Sequence, residues 1–391
     1  MRVATNRRWV VWCCCAAGAA PAGLADLCAQ SRPAAAEPAI AFLSAEQARI
    51  AVLDDSVDPF FKSLEPLEMG ALTGGLISGA GLEEQRAECR RRFEAGMLAF
   101  SDREREALRR LIADLRPRLA RKYPRFAAVP WSFIKSSGGL CGAMPYTRGR
   151  HIVCPEPLLR MCVAAAAGRD GPVHRAAVGV LVHEQMHVFQ REHPGFFDSL
   201  YTDVFGFEYA ERLDSHPLVR PWQLSNPDGT DCRWVYPLKS DPAGGYILPL
   251  LMLNQKPRQP HLPGDMWKAA VAVDKVGITW RIRVDTDGKP ILRRLNGVAE
   301  YLERFAGIGS DYHPNEIGAD LFTELFLHDS EEEESVGRGS ERGHDRAQAG
   351  GAPTAARELR MATRRWFEQH LSLDGTPGSR PARPARSSST R

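Results

Sequence analysis

The sequence predicts an α+β fold, with helical blocks towards both ends of the chain and a β-rich stretch between them. Three observations carry that expectation. The stretch from Val178 to Gln190 reads as one buried helix containing His-Glu-x-x-His. Residues 129–155 hold extended segments broken by Gly138-Gly139. Residues 199–305 lack the helical period of their flanks, and Gly277 to Leu292 alternates and then turns at Asp287-Gly288. With 391 residues, 43% of them hydrophobic, there is enough apolar surface for one or two domains. The formal net charge of +3 gives no argument for a nucleic-acid partner.

Residues 1–29 read as an export signal. Arg2, Arg7 and Arg8 precede an apolar run from Trp9 to about Ala20, and small residues follow, with cleavage expected after Ala25 or Ala29. Asn6-Arg7-Arg8-Trp9-Val10-Val11 is an imperfect twin-arginine pattern. The run is too short for a membrane span, so none is expected once the signal is removed. A transit peptide and an uncleaved anchor are the rival readings. Residues 30–43, rich in Ala and Pro, read as a flexible linker. Cys13, Cys14, Cys15 and Cys28 fall in the leader, which leaves Cys89, Cys141, Cys154, Cys162 and Cys232. Their spacing matches no zinc knuckle, and an oxidising compartment would pair some of them.

From Ser44 the composition is globular, and residues 44–198 read as the first part of a catalytic domain. Ser44-Ala-Glu-Gln47 is a capping box. Gly70 to Gly81 lacks the spacing of a phosphate loop and reads as a turn. Glu83 to Leu98 and Asp102 to Tyr123 are charged amphipathic helices, the second with Leu108, Leu111, Ile112, Leu115 and Leu119 as its apolar stripe. Val129 to Ser137 is a strand. Cys141 to Tyr146 and Arg150 to Pro155 make a hairpin about Thr147-Arg-Gly149, which would set Cys141 and Cys154 close enough for a disulfide. Leu158 to Ala167 is a helix. Pro172 suits the first turn of the next one, and Pro194-Gly195 stops it.

That helix carries the chemistry. Four residues is just over one turn, so His183 and His187 share a face. Two neutral imidazoles so placed suit one Zn²⁺, with Glu184 beside the open position, ready to take a proton from an attacking water and pass it to a leaving amine. The plain alternative is an amphipathic helix with two exposed histidines. Val180, Leu181, Val182, Met186, Val188 and Phe189 argue against it, because an all-round apolar helix is buried and its polar residues need partners.

The order of parts, with Gly142-Ala143-Met144-Pro145 and Arg150-His151-Ile152-Val153 ahead of the histidine helix, resembles the zincin metallopeptidases. Within them it resembles the gluzincins, and its hairpin is similar to that of the Ste24-type membrane proteases. The resemblance implies a zincin-like catalytic domain whose edge strand pairs with an extended substrate backbone. Three residues compete as third ligand. Asn315-Glu316 followed by Asp320 resembles the second motif of thermolysin-like enzymes, implying Glu316 as ligand and Asp320 as the residue that orients a ligand histidine. The interval from His187 to Glu316 is far longer than in those enzymes, and an inserted region, residues 199–305, would account for it. His193 gives a metzincin-like spacing, but Gln190 stands where glycine is usual. Glu208 sits at a compact gluzincin distance, with no acid one turn later. Tyr312 and His313, just before Glu316, are candidate hydrogen-bond donors to an oxyanion, and structural roles suit them as well.

Residues 306–373 then complete the catalytic domain. Within them, 329–353, charge-rich and holding Glu331 to Glu334, read as a disordered loop, and Ala355 to Leu373 as a last helix. Residues 374–391 read as a disordered basic tail. The expected protein is an exported zinc metallopeptidase acting on a peptide or protein substrate, with catalytic Glu184 and ligands His183, His187 and Glu316. The alternative is a non-catalytic zincin-fold binding protein with structural zinc or none.

Overall fold

The computed structural model describes residues 39–168, 171–228, 231–240, 245–255, 260–337 and 353–372, with side chains left aside at 330–337. The expected leader and basic tail lie outside the described residues. The fold is α+β, with two sheets and helices packed on them. Among the described residues, no helix is long and apolar enough to cross a membrane.

The first sheet is built on Trp131–Ser136. This strand pairs in parallel with Ile40–Phe42 on one side and with His151–Pro155 on the other. Tyr146–Arg148 closes the sheet at one edge, antiparallel to His151–Pro155. The expected flexible linker is therefore already ordered sheet at Ile40–Phe42, where Phe42 stacks on Phe133. Three apolar residues beside a free strand edge gain more by pairing than by staying solvated.

The two faces of this sheet bury different cores. Phe133, Ile152 and Cys154 point to the face covered by helices Asp102–Lys122, Glu156–Ala167 and Pro172–Glu192. Ile134, Val153 and Tyr146 point to the other face, covered by Ala45–Val52, Pro66–Leu72 and Leu82–Ala95. This alternation overturns the expected disulfide. Cys141 packs with Tyr146 and Val153 on the second face, whereas Cys154 packs on the first. Both are buried free thiols, as are Cys89 and Cys162. Neighbouring residues on a strand point to opposite sides, so being close along a hairpin does not put two sulfurs together.

The second sheet has seven strands between Glu208 and Arg294, and Met266–Val276 is its longest. That strand pairs along its length with Tyr246–Leu253 and turns at Gly277 into Thr279–Ile282. A further turn brings Lys289 back to Asp285, at the expected Asp287-Gly288. Gly142 lets a loop of this region approach the first sheet. At φ 62° it is left-handed, and a Cβ there would meet the Leu262 carbonyl at 2.6 Å.

The chain then returns to the first core. Helix Pro314–Gly337 packs along Pro172–Glu192, and Thr354–Leu371 packs beside it. The expected loop from Asp329 is thus helical through Gly337, while 338–352 lie outside the described residues. Asp329 explains the continuation. It is buried and bonded by Lys122, Tyr123 and Arg364, partners no local pattern reveals.

Candidate metal centre

Pro172 starts the histidine helix, and the following Pro194 pushes His193 out of helical geometry, so the helix ends there. Its apolar residues Leu181, Val182, Met186, Val188 and Phe189 are fully or nearly buried, which fixes its rotation. Buried Gln185 donates to the carbonyls of Val129 and Pro130 and ties the helix to the start of the first sheet. His183 and His187 then face the helix that carries Glu316. Gly318 allows that approach: a Cβ there would lie 3.3 Å from Gln190 Nε2.

The three expected ligands converge. His183 Nε2 and His187 Nε2 are 3.0 Å apart, and each lies 3.4 Å from Glu316 Oε2. His187 and Glu316 are buried, while His183 is 18% exposed, so the group meets solvent on the His183 side. Each ligand has its own outer partner. His183 Nδ1 lies 3.1 Å from Asp320 Oδ1. His187 Nδ1 lies 2.8 Å from Gln190 Oε1, and Gln190 Nε2 donates to the Asn315 carbonyl at 2.9 Å, which fixes the amide's orientation. Asn226 donates its side-chain amide to Glu316 Oε1.

These partners decide what the site can hold. A carboxylate and an amide oxygen are acceptors, so both Nδ1 atoms carry the proton and both neutral rings present a lone pair at Nε2. Two lone pairs and a carboxylate oxygen therefore point at one another. Such a group is repulsive until a cation sits among them. Its separations match the roughly 3.3 Å edge of a tetrahedron with zinc–nitrogen distances of about 2.0–2.1 Å. The residues fit a zinc ion. The same field draws protons: burial opposes charge on His183 and His187, but Asp320 and Glu316 outweigh it for the first and Glu316 for the second, so both pKa values rise. Glu316 is held well below the usual range, because its two histidines overcome the cost of its burial.

Glu184 is buried beside this group, and its Oε2 has no hydrogen-bond partner. Burial pushes its carboxyl up, and Asp228 adds to the rise. The rival ligands are elsewhere. Glu208 bonds Lys275 and Tyr246 on the second sheet, and His193 caps its helix against Phe189. His313 is not free to serve an oxyanion: Nε2 donates to the Asp231 carbonyl and Nδ1 accepts from Asn315 N–H. Tyr312 keeps its proton, through burial first and the charge of Glu316 next.

Comparison with family models, curated proteins and solved structures finds no match.

Two residues of the centre were out of reach of sequence reasoning in that role. Gln190 sits three positions after His187, a spacing that brings side chains together on a helix, yet it stood out only as the wrong residue for a metzincin. Asn226 reaches Glu316 from the turn-rich loop of the second-sheet region, and nothing local signals that. A cavity of 660 Å³ reaches Gln190 and Asn315, with Arg191, Asp228 and His313 also in its wall.

Proposed function

We propose that the chain is a zinc-dependent metallohydrolase of the gluzincin kind, exported and acting as a peptidase. The observation that carries this reading is the convergence of two imidazole Nε2 atoms and a carboxylate oxygen, each of the three residues held by an outer partner, with Glu184 alongside. His183, His187 and Glu316 would hold Zn²⁺. Bound there, the ion would supply a Lewis acid that polarises a carbonyl and acidifies water. Asp320, Gln190 and Asn226 hold the three ligands in orientation, and each bond is one that zinc binding leaves intact.

Glu184 acts as the general base and then as the acid. A carboxyl lifted by burial is a stronger base and a usable proton donor near neutrality, and its partnerless oxygen is free to take the proton of the attacking water. Tyr146–Arg148, at the edge of the first sheet, suits a peptide as substrate, because its outer backbone could pair with an extended chain once Asp228 leaves Thr147. Export rests on the arginine-led apolar leader at residues 1–29.

The test is Glu184→Gln. This variant keeps its zinc and loses cleavage of a peptide mixture followed by mass spectrometry. Turnover equal to the parent's would remove Glu184 from the mechanism.

A further inference from the structure

The edge strand beside the metal centre already has an occupant. Thr147 donates its backbone N–H to Asp228 Oδ1 at 2.6 Å, and its hydroxyl reaches the same oxygen at 2.6 Å. Arg191, on the histidine helix, donates to Thr147 Oγ1 and to the Pro227 carbonyl, and its Nε lies 3.3 Å from Asp58. One residue earlier, Asn226 donates to Glu316. Residues 226–228 therefore run from a ligand of the centre to the outer backbone of the edge strand. They are anchored behind by Leu224 N–H on the Leu251 carbonyl and by Ser225 on Glu68.

The place Asp228 occupies is built for a carboxylate and is poor for this one. Two donors of Thr147 converge on one oxygen, and the buried Arg191 guanidinium stands directly behind them. Yet Glu316 and Glu184 share its surroundings, so the carboxylate stays because Thr147 and Arg191 hold it there.

We propose that Thr147 and Arg191 form a carboxylate-recognition subsite of the cleft, that Asp228 fills it as a tethered occupant, and that the substrates are peptides presenting a carboxylate there. The proposal rests on the metallopeptidase reading for the word substrate, but the subsite itself needs only binding. The carboxylate is that of an acidic side chain or of a chain terminus.

The experiment uses the full-length zinc-loaded chain carrying Glu184→Gln, so that bound peptide is not consumed, with and without Asp228→Ala. The probes are acetyl-Asn-Pro-Asp-amide, its acetyl-Asn-Pro-Asn-amide counterpart, and acetyl-Asn-Pro-Ala with a free carboxyl terminus. Asp228→Ala should bind at least one of the two acids roughly ten- to hundredfold tighter than the Asn amide, since a charged hydrogen bond is lost with the amide. Which acid binds tells a side chain from a terminus. The chain retaining Asp228 should prefer the same acid but bind it more weakly, because Asp228 must first leave Thr147. Hydrogen exchange at the Thr147 amide should quicken in Asp228→Ala and slow again with the bound acid. Asp228→Asn, which keeps an acceptor for Thr147, repeats the measurement should the alanine variant not fold.

Equal binding of acid and amide would overturn the subsite, and so would equal binding of acid with and without Asp228. Acid-selective binding, with no cleavage of a peptide mixture by the zinc-loaded parent carrying both Glu184 and Asp228, would keep the subsite and remove the peptidase.

Discussion

Two buried charged clusters lie close together in this molecule, and they differ in one respect. Arg148 is fully buried, under Phe60 and Phe61, and every arm of its guanidinium is used: Nε by the Val52 carbonyl, Nη1 by Asp58, Nη2 by the Asp54 carbonyl and Asp55. Donors meet acceptors, and Arg191 Nε stands 3.3 Å from the other Asp58 oxygen. In the candidate metal centre, with the ring protons held outward, two imidazole nitrogens and a carboxylate oxygen face one another, while every outward-facing polar atom of the three residues is satisfied. Burial and charge are common to both. What marks the candidate site is the mismatch of hydrogen-bonding sense, which a metal ion resolves at all three ligands at once and a single proton does not.

This contrast can be broken or sharpened. The largest expected effect belongs to the closed cluster. Arg148→Met takes one cation from buried Asp55, which keeps Arg90, and one from Asp58, which keeps Arg191, and costs about 3 kcal/mol in denaturant unfolding. Zinc content of the folded fraction should not change. Loss of zinc with retained stability would mean the two clusters are one unit.

Glu68 gives a pH-dependent effect of a few kcal/mol. Burial pushes its carboxyl up to about 8, although hydrogen bonds from Ser225 pull the other way. The folded chain keeps a proton that the unfolded chain, titrating near 4.5, has released. This contribution makes stability fall as pH rises from about 4.5 to about 8 and then level off. Glu68→Gln should remove that slope in unfolding curves measured across the window. An unchanged slope would assign the pH dependence to other groups.

The outer partners come next. Asp320→Asn, Gln190→Ala and Asn226→Ala should each weaken zinc by roughly 10–100-fold in chelator competition. Affinity equal to the parent's would make that partner a bystander. The smallest effect is expected at the cysteines. Reductant should leave the melting temperature unchanged, and mass mapping of the unreduced chain should find Cys141 and Cys154 unlinked.

What was legible in the sequence followed the helix period. His183, Glu184 and His187 share a turn, and Asp320 lies one turn beyond Glu316, so each half of the centre was readable by itself. Joining the halves depends on the packing of two helices far apart in the chain, and the resemblance to gluzincins supplied that link. The alternation of residues 277–292 gave a turn at Asp287-Gly288, but the dominant strand Met266–Val276 went unread. It is rich in alanine, a weak strand former, and owes its conformation to pairing with strands on both sides. Asp329 reads as the start of a charged linker because its partners, Lys122 and Arg364, belong to other helices. The Cys141–Cys154 pairing failed because distance along a hairpin says nothing about which face a side chain takes.

The most direct test of the account is zinc per chain, by elemental mass spectrometry, on the purified protein and on Glu316→Ala, Glu208→Ala and His193→Ala. The account predicts one zinc in the parent, lost with Glu316 and kept with the other two. Zinc kept without Glu316, or absent from a folded parent supplied with the metal, would contradict it.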